Sequence, residues 1–268
     1  MHIEEIDRSA WDEQVLLERV EENIVLVTLN RPQAYNAVTP QMTAAIKAIV
    51  DTVEADDTVR VAVLTAAGEK AFCAGADLNA IAKGKGGSVV SRSHGFAGFT
   101  SAQRSKPWIA AVRGHVVGGG LEIMLACDMA VAGQSVRLAL PEVKRARVPG
   151  AGGGYRLPLA IPRMIAVEML LTGEPIYAER AFQIGLVNRV VSDANIVGEA
   201  LQLATRIATN GPLAIRETLK LARQAYAARD EELRALATQA YLCIRDSEDA
   251  KEGSVAFVEK RMAVYVGR

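Results

Sequence analysis

The sequence predicts an α/β core that is followed by an α-helical C-terminal region. In the N-terminal part of the chain, short β-branched or apolar runs alternate with segments of helical spacing. From residue 162 onward, the segments read mainly as helices. No repeat and no low-complexity linker divides the 268 residues. We place the core at residues 1–195 and the helical region at residues 196–268.

The first predicted elements are a strand, a capped helix and a second strand. Residues 24–29 form a β-branched run that a turn at residues 30–32 ends. Thr39 has the character of an N-cap, and Pro40 follows at the first helical position. Apolar residues then recur at helical spacing, so a helix continues from there. Residues 59–65 are nearly all apolar, which predicts a strand that is buried on both faces.

The middle of the chain is predicted to mix strands and loops. A loop at residues 68–75 leads to Asp77, which is well placed to cap a short helix that starts at Leu78. Residues 83–93 are rich in Gly, Ser and Lys, a composition typical of a mobile surface loop. Further strands are predicted at residues 108–112, 128–132 and 136–139, with a helix around Glu122.

The remainder of the chain is predicted to be helical. After residue 162 the character of the sequence changes, and six segments read as helices. Ser247 precedes the last segment as a weak N-cap. The predicted helices cover residues 164–171, 178–184, 195–208, 212–227, 231–244 and 247–260.

Composition argues against several classes of function. Half of the residues are hydrophobic, and 31 basic residues balance 31 acidic ones, so no basic excess is present for binding nucleic acid. Zero net charge weakly favours self-association. Cys73, Cys127 and Cys243 match neither a disulfide framework nor a metal site. The N-terminus lacks an apolar signal core, and no apolar run reaches about 18 residues. We therefore expect a cytoplasmic protein without a membrane span or a bound metal.

Two glutamates occupy surroundings in which a charge is unexpected. Glu122 interrupts the otherwise apolar residues 118–127, and Glu142 follows the run at 138–141. A carboxylate without a polar face has a raised pKa, which proteins usually tolerate where a poised acid or base is wanted. The two lie 20 residues apart, and we expect a hairpin-like excursion to bring them together. The alternative is a partly exposed helix residue and a helix-start residue favoured by the dipole.

Two loops of small residues offer backbone donors beside these glutamates. Residues 72–77 and residues 117–120 each join a predicted buried strand to a helix start, where N–H groups lack an intrahelical partner. Small residues let a ligand atom approach closely, and two N–H groups that converge on one oxygen form an oxyanion hole. The alternative is that Gly and Ala only permit tight turns and close packing.

Other catalytic motifs are incomplete. The glycine run at residues 149–154 does not satisfy G-x-G-x-x-G, because Tyr155 stands at its last position. No G-x-S-x-G elbow is present to support a catalytic triad around one of the three histidines. The basic residues 144–147 fit either a solvated face or a patch that attracts an anionic substrate.

Nine stretches of the chain follow the pattern of one known family in order and with its spacing. They are residues 30–37, 70–78, 106–112, 118–122, 141–144, 149–153, 171–173, 185–187 and 256–261. At these residues the chain resembles the crotonase superfamily, specifically the enoyl-CoA hydratases. The similarity runs from about residue 24 to the C-terminus, which is far more specific than a single motif.

This resemblance implies a fold, an assembly and an activity. The fold would be a spiral of ββα units, with a helical C-terminal trimerisation region and assembly as a trimer or a pair of trimers. The activity would be hydration of a 2-enoyl-CoA thioester in fatty-acid or related acyl-CoA degradation. Coenzyme A would be part of the substrate, so no separate cofactor is expected.

The resemblance also implies site residues. The N–H groups of Ala76 and Gly119 would hold the thioester oxygen, and Glu122 and Glu142 would hold the attacking water. The residues that would contact coenzyme A or substrate are Ala34, Ala74, Gly75, Asp77, Leu78, Gly118, Gly150, Phe257 and Lys260.

The chain departs from the family pattern at several positions, which we expect to ring the acyl pocket. Asn79 stands where Lys is frequent, and residues 152–156 lack the usual Thr-Gln. The other departures are Tyr35, Arg113, Arg145 and Arg147, which replace Leu, Asn and small or apolar residues. They bear on the choice of substrate more than on the type of reaction.

Two rival functions remain open at this stage. A crotonase-fold isomerase or carnitinyl-CoA-type enzyme is the nearest, but isomerases commonly keep only one of the two glutamates. A non-catalytic or RNA-binding homologue is the rival of another class, and the neutral charge and intact glutamates argue against it.

Overall fold

The computed structural model describes residues 13–77 and 86–261, together with residue 263. Strands in this part of the chain are short, and many are fully buried. Their bounds are β1 Val15–Glu21, β2 Ile24–Leu29, β3 Val61–Ala66, β4 Ala71–Cys73, β5 Val90–Ser91, β6 Gly95–Phe96, β7 Trp108–Val112, β8 His115–Val117, β9 Met129–Gly133, β10 Arg137–Ala139, β11 Ile176–Tyr177 and β12 Arg189–Val191.

Helices surround these strands and dominate the C-terminal third. The α-helices among the described residues are α1 Pro40–Ala55, α2 Gly119–Ala126, α3 Gly153–Ala160, α4 Arg163–Thr172, α5 Ala178–Gln183, α6 Ile196–Ala208, α7 Pro212–Arg245 and α8 Glu248–Glu259. Single 3₁₀ turns occur at Pro32–Ala34, Gly86–Val89, Pro141–Arg145 and Asp193–Asn195.

The strands form two main sheets and one small hairpin. The larger sheet has the order β1-β2-β3-β7-β9-β12, and the smaller one has the order β11-β10-β8-β4. β1 runs antiparallel to β2, and β11 runs antiparallel to β10. The other neighbours in these two sheets are parallel, whereas β5 and β6 form an antiparallel pair of their own.

Along the chain, successive long-range parallel strands belong alternately to the larger and the smaller sheet. β3, β7 and β9 lie side by side in the larger sheet, and the strands that follow them in the chain, β4, β8 and β10, take the same order in the smaller sheet. Val63 lies opposite Ile109, which lies opposite Met129, and His115 lies opposite Arg137. Each pass of the chain therefore adds one strand to each sheet. This confirms the predicted α/β core and its ββα spiral.

Strand β3 is buried on both faces, as its composition predicts. Val61 and Val63 pack into a cluster with Ala200 and Ala204 of α6, while Leu64 faces the main core on the other side of the sheet. Two layers of helix and loop thus cover the sheet, which is the usual environment of parallel strands. The predicted domain boundary at residue 195 stays a prediction, and α6, which follows it, covers one face of the large sheet.

Two predicted helix starts are confirmed by their caps. The Thr39 hydroxyl accepts a hydrogen bond from the Met42 N–H at 3.1 Å, and the Ser247 hydroxyl accepts one from Ala250 at 3.0 Å. The helix predicted from Leu78 lies outside the described residues. The Asp77 carboxylate accepts a hydrogen bond from Arg31 at 3.1 Å.

Several other predictions of local structure were wrong. The loop predicted at residues 68–75 contains β4, because a three-residue strand is too short to show a period. Residues 86–91 of the predicted mobile loop form a 3₁₀ turn and β5. The helices predicted at 212–227 and 231–244 are one continuous helix, since no Gly or Pro interrupts them. Strands β1, β8, β11 and β12 and helix α3 were not predicted.

Among the described residues, no helix is both long enough and apolar enough to cross a membrane. The same part of the chain holds no cluster of three or more His, Cys, Asp or Glu side chains arranged for a metal ion. Cys73 is buried and Cys127 is half-buried, and both are free thiols. Burial raises the pKa of each thiol to about 12, which makes both poor nucleophiles.

Candidate active site

The two predicted donor loops lie side by side because β4 and β8 are parallel neighbours. Cys73 pairs with Val116, so both strands end at the same edge of the smaller sheet. A Cβ atom built on Gly75 would lie 3.2 Å from the Gly119 nitrogen. Among the described residues, neither the Ala76 nor the Gly119 N–H donates to a protein acceptor. Two backbone donors are therefore adjacent and available to a ligand oxygen.

Glu122 lies one turn into α2 and is 4% exposed. Its Oε1 atom accepts hydrogen bonds from the N–H groups of Ala151 at 2.7 Å and Gly153 at 2.9 Å. Burial raises the pKa of Glu122, while these two donors and the Arg156 guanidinium act in the opposite direction. The carboxylate is thus fixed in one orientation and its charge is partly compensated.

Glu142 lies in the 3₁₀ turn Pro141–Arg145 that follows β10. Its Oε2 atom is buried and has no hydrogen-bond partner among the described residues. Burial, and next the negative charge of Glu122, raises the pKa of Glu142 to about 8. Near neutral pH, this carboxyl group is therefore protonated and can give up a proton.

Gly118 lies next to the Glu142 carboxyl group and directly precedes the Gly119 donor. Its φ of +58° suits glycine, and a Cβ atom there would lie 3.1 Å from Oε1 of Glu142. A side chain at this position would displace the carboxyl group as well as strain the backbone. The absence of a Cβ therefore lets Glu142 approach the turn that carries the Gly119 donor.

The route of the chain between the glutamates differs from the predicted hairpin-like excursion. β9 lies in the larger sheet and β10 in the smaller one, beside β8 and parallel to it. The Gly118 N–H donates to the Ala139 carbonyl at 2.9 Å, so the ends of β8 and β10 are joined. Both glutamates consequently emerge at one edge of the smaller sheet.

The two carboxyl groups have unequal surroundings, which gives them different protonation states. Two N–H donors stabilise the charged form of Glu122, and a negative charge on Glu122 disfavours ionisation of Glu142. One carboxylate and one carboxylic acid therefore lie beside a pair of free N–H donors. Such a site can take a proton from water, give a proton to carbon and stabilise a negative oxygen.

Most residues implied in ligand binding lie beside the donor loops. Ala34 ends the 3₁₀ turn Pro32–Ala34, and the carbonyl of the next residue accepts a hydrogen bond from the Ala74 N–H at 3.1 Å. The Gly75 carbonyl accepts one from Val38 at 2.8 Å. Ala34, Ala74, Gly75, Asp77 and Gly118 are thus brought together. Leu78 lies outside the described residues, and Gly150 lies in the exposed turn before α3.

Phe257 and Lys260 lie on the C-terminal helix and its cap, away from the donor loops in sequence. The Phe257 ring is 4.2 Å from the Arg145 guanidinium carbon, and Lys260 is an exposed, left-handed C-cap of α8. In this chain α8 therefore packs on the outer side of the Glu142 turn. A contact of these two residues with coenzyme A stays a prediction.

The departures from the family pattern do not all surround one pocket. Residues 152–156 lie at the site, where the Gly153 N–H donates to Glu122, whereas the three arginines have partners away from the donor loops. Arg113 donates to the carbonyls of Gly68 and Asp193, at 3.0 and 3.2 Å. Arg145 and Arg147 both point to α8. The remaining departures are Tyr35, which is exposed with its ring edge-on to His115, and Asn79, which lies outside the described residues.

Three features of the site were not predicted from the sequence. The Phe96 ring borders the Gly119 turn, since a Cβ atom on Gly119 would lie 2.5 Å from its Cε1. The N–H groups of Ala151 and Gly153 donate to Glu122, and Arg156 holds this segment by donating to the Ala151 carbonyl at 3.0 Å. The glycine run before Tyr155 and the resemblance at residues 149–153 pointed to this segment, but not to a role in binding Glu122.

Comparison with known proteins identifies close relatives. The family model for enoyl-CoA hydratase/isomerase matches residues 19–268. Carnitinyl-CoA dehydratase of Escherichia coli (strain K12) is 40% identical over 251 residues, which are 92% of this chain and 96% of that protein. (E)-benzylidenesuccinyl-CoA hydratase of Thauera aromatica is 39% identical over 252 residues, with 92% and 97% covered.

Solved structures give the same result for the fold. The crystal structure of carnitinyl-CoA hydratase from Mycobacterium avium matches with a TM-score of 0.90 at 40% identity, and the match covers 95% of this chain and 99% of that one. The similarity therefore extends over the spiral, the glycine turns and the C-terminal helices.

Proposed function

This chain belongs to the enoyl-CoA hydratase/isomerase family, and from that premise we propose that it adds water across the 2,3 double bond of a 2-enoyl-CoA thioester. One observation carries the proposal: two buried glutamate carboxyl groups, of which only Glu122 accepts two N–H donors, flank two adjacent backbone donors. Hydration requires these three functions, since a proton is removed, a proton is added and an oxygen becomes negative.

The backbone donors of Ala76 and Gly119 hold the thioester carbonyl oxygen in this proposal. When water attacks C3 of the conjugated thioester, the electron pair of the double bond moves toward that oxygen. Donors that already point at the oxygen stabilise this charge without reorganisation, and one such donor contributes roughly 3–4 kcal/mol. The binding of coenzyme A along Ala34, Ala74 and Gly75 would place the thioester there.

Each glutamate carries out one of the two proton transfers in this proposal. Glu122, as the carboxylate, takes a proton from the attacking water as the C3–O bond forms. Glu142, as the carboxylic acid, gives its proton to C2 as the enolate collapses. At the end Glu122 is protonated and Glu142 is ionised, so one proton must return between them before the next turnover. Water is the only net reactant added.

A second candidate is a hydration–dehydration enzyme for a substituted acyl-CoA. Two relatives with about 40% identity are named for carnitinyl-CoA and for (E)-benzylidenesuccinyl-CoA. Both names describe the same type of reaction on larger acyl groups, so the two candidates differ in substrate and share the site. The Phe96 ring beside Gly119 and the exposed Tyr35 are side chains that would meet a bulky acyl group or its coenzyme A.

The direct test is a substrate panel of crotonyl-CoA, a longer enoyl-CoA, carnitinyl-CoA and a branched thioester, followed by formation or loss of the conjugated thioester. We expect hydration of at least one straight-chain enoyl-CoA. Turnover of carnitinyl-CoA alone would replace the first candidate with the second. Migration of the double bond without uptake of water would favour an isomerase and contradict both.

A further inference from the structure

The 3₁₀ turn that carries Glu142 is held against helix α8 of the same chain. A Cβ atom on Gly253 would lie 2.6 Å from the Arg145 carbonyl oxygen and 2.8 Å from its carbon. Backbone therefore meets backbone at this point, and only glycine permits the approach. The contact lies three residues along the chain from Glu142.

Two arginine side chains reinforce this contact. The Arg145 guanidinium lies over the Phe257 ring, with 4.2 Å between its carbon and the ring centroid. Arg147 donates to the Ser254 hydroxyl, which itself donates to the Ala250 carbonyl at 2.9 Å. Gly253, Ser254 and Phe257 lie within about one turn of α8, so the turn is held by a single helix face.

The opposite side of the turn is also constrained. Gly173, at the C-terminal end of α4, has its Cβ position 3.0 Å from Pro141, and Lys144 pairs with Glu174. Within the turn, the Arg147 N–H donates to the Glu142 carbonyl at 3.1 Å. The backbone around Glu142 is therefore fixed between α4 and α8.

Glu142 needs this support because the backbone hydrogen bond of its carboxyl group is to its own N–H and moves with the same turn. Glu122 is oriented by two N–H donors, whereas Oε2 of Glu142 has no partner among the described residues. The direction of the Glu142 side chain must follow from the backbone that carries it. A small rotation of the turn would move the acid relative to C2 of a bound substrate, and a misplacement of about 1 Å can cost about a hundredfold in rate.

We propose that Arg145 is a positioning residue that orients Glu142 by locking its turn onto α8 through Phe257. The proposal rests on the proposed function of Glu142 as the acid. Helix α8 then helps to hold Glu142 in place. The proposal also gives a role to Arg145, which departs from the family pattern.

The test compares Arg145→Met, Arg145→Lys and Arg261→Met. Arg145→Met keeps much of the side-chain volume but removes the cation, whereas Lys retains a cation for the ring. Arg261 is a matched control, because it is an arginine that pairs with Glu252 and Glu259 of the same helix. The readouts are kcat and KM for enoyl-CoA hydration, and amide hydrogen exchange at Ala146 and Arg147.

We expect Arg145→Met to lower kcat about tenfold, with KM changed less than about twofold and with faster amide exchange in the turn. Arg145→Lys should recover most of the rate, and Arg261→Met should match the wild type. Unchanged kcat and exchange in Arg145→Met would overturn the proposal. So would a rise in KM alone, which would make Arg145 a binding residue.

The outcome is separable from that of the proposed function. If the wild-type protein hydrates no enoyl-CoA, the proposed function fails, and amide exchange then decides whether Arg145 holds the turn. Faster exchange at Ala146 and Arg147 in Arg145→Met, but not in Arg261→Met, supports the proposal that Arg145 holds the turn against α8. Equal exchange in both variants refutes it.

Discussion

Glu122 and Glu142 are both buried carboxyl groups, yet they differ in what surrounds their oxygens. Two N–H donors approach Glu122, while one oxygen of Glu142 is left without a donor among the described residues. Because unequal hydrogen bonding separates the ionisation of neighbouring acids, the pair holds one proton near neutrality. This single proton is what an acid–base pair requires.

The rate of hydration should depend on pH through the protonation of Glu142. Glu142 must be protonated to act, and its pKa is raised to about 8. We therefore expect kcat/KM for hydration to be sustained below pH 8 and to fall as pH rises through it. At the acidic side, the rate should fall when Glu122 takes up a proton. A profile that is flat through pH 8 would contradict the assignment of the acid.

The second prediction concerns stability in Glu142→Gln. The folded-state pKa of Glu142 lies above its unfolded value, so the folded state binds more protons and stability falls as pH rises from about 4 to about 8. Glutamine cannot ionise, so the variant does not lose stability in this pH range through residue 142. We expect the variant to gain about 1–3 kcal/mol over the wild type above pH 8, with the gain shrinking toward pH 5.

Denaturant unfolding at several pH values measures this difference. The control is Glu168→Gln, since Glu168 is exposed on α4. An equal effect in both variants, or a gain that grows at low pH, would show that Glu142 is not a buried acid.

Among the elements, the short strands of the smaller sheet place the two donor loops and the two glutamates. β4, β8 and β10 end at one edge, and the Ala76 donor, α2 and the Glu142 turn follow them directly. The first residue of α3, Gly153, and Ala151 in the turn before it supply the N–H donors to Glu122. The site is therefore a product of strand register rather than of any one loop.

This arrangement explains which features the sequence predicted. The buried strand β3, the helix capped by Thr39 and the unusual setting of Glu122 each have a local signal. β4 and β8 are only three residues long, which is too short for an alternation of apolar and polar residues to be recognised. Their pairing therefore could not be predicted from the sequence. Phe96 and Arg156 act across distances in sequence that local patterns do not report. The contacts of these two residues are recognised only in the folded structure.

The prediction at this scale compares two adjacent glycines of α3. A Cβ atom on Gly153 would lie 2.9 Å from Leu140 and 3.0 Å from Cγ of Glu122, whereas one on Gly154 would meet nothing closer than 3.6 Å. Gly153→Ala should therefore lower kcat about tenfold and destabilise by about 1–3 kcal/mol. Gly154→Ala should keep full activity and gain up to about 1 kcal/mol.

Kinetics of hydration and thermal unfolding on both variants test this pair. Equal activity in the two variants would mean that the start of α3 does not constrain Glu122. Equal loss in the two would mean that the effect comes from helix α3 as a whole rather than from the contact with the carboxylate.

At the scale of the whole molecule, the spiral leaves apolar side chains exposed after α3. Met164 is 77% exposed, Leu171 is 72% exposed, and Tyr177 and Phe182 are more than half exposed. Large apolar side chains on a surface often mark contacts with other proteins. In combination with zero net charge, they are consistent with the trimer or pair of trimers that the resemblance implies.

We therefore predict self-association in solution. Light scattering at micromolar concentration should give three or six times the mass of the chain. A monomer under these conditions would contradict the assembly and would mean that the exposed side chains of α4 and α5 have another partner or none.

The most direct measurement is kcat for crotonyl-CoA hydration in Glu122→Gln, Glu142→Gln and the double variant, with Glu168→Gln as the control. We expect each single change to lower kcat at least about a hundredfold while acyl-CoA binding is kept. Because the two groups act as one unit, the double variant should be little slower than the worse single variant. Near-normal turnover in both single variants would contradict the two-carboxylate mechanism.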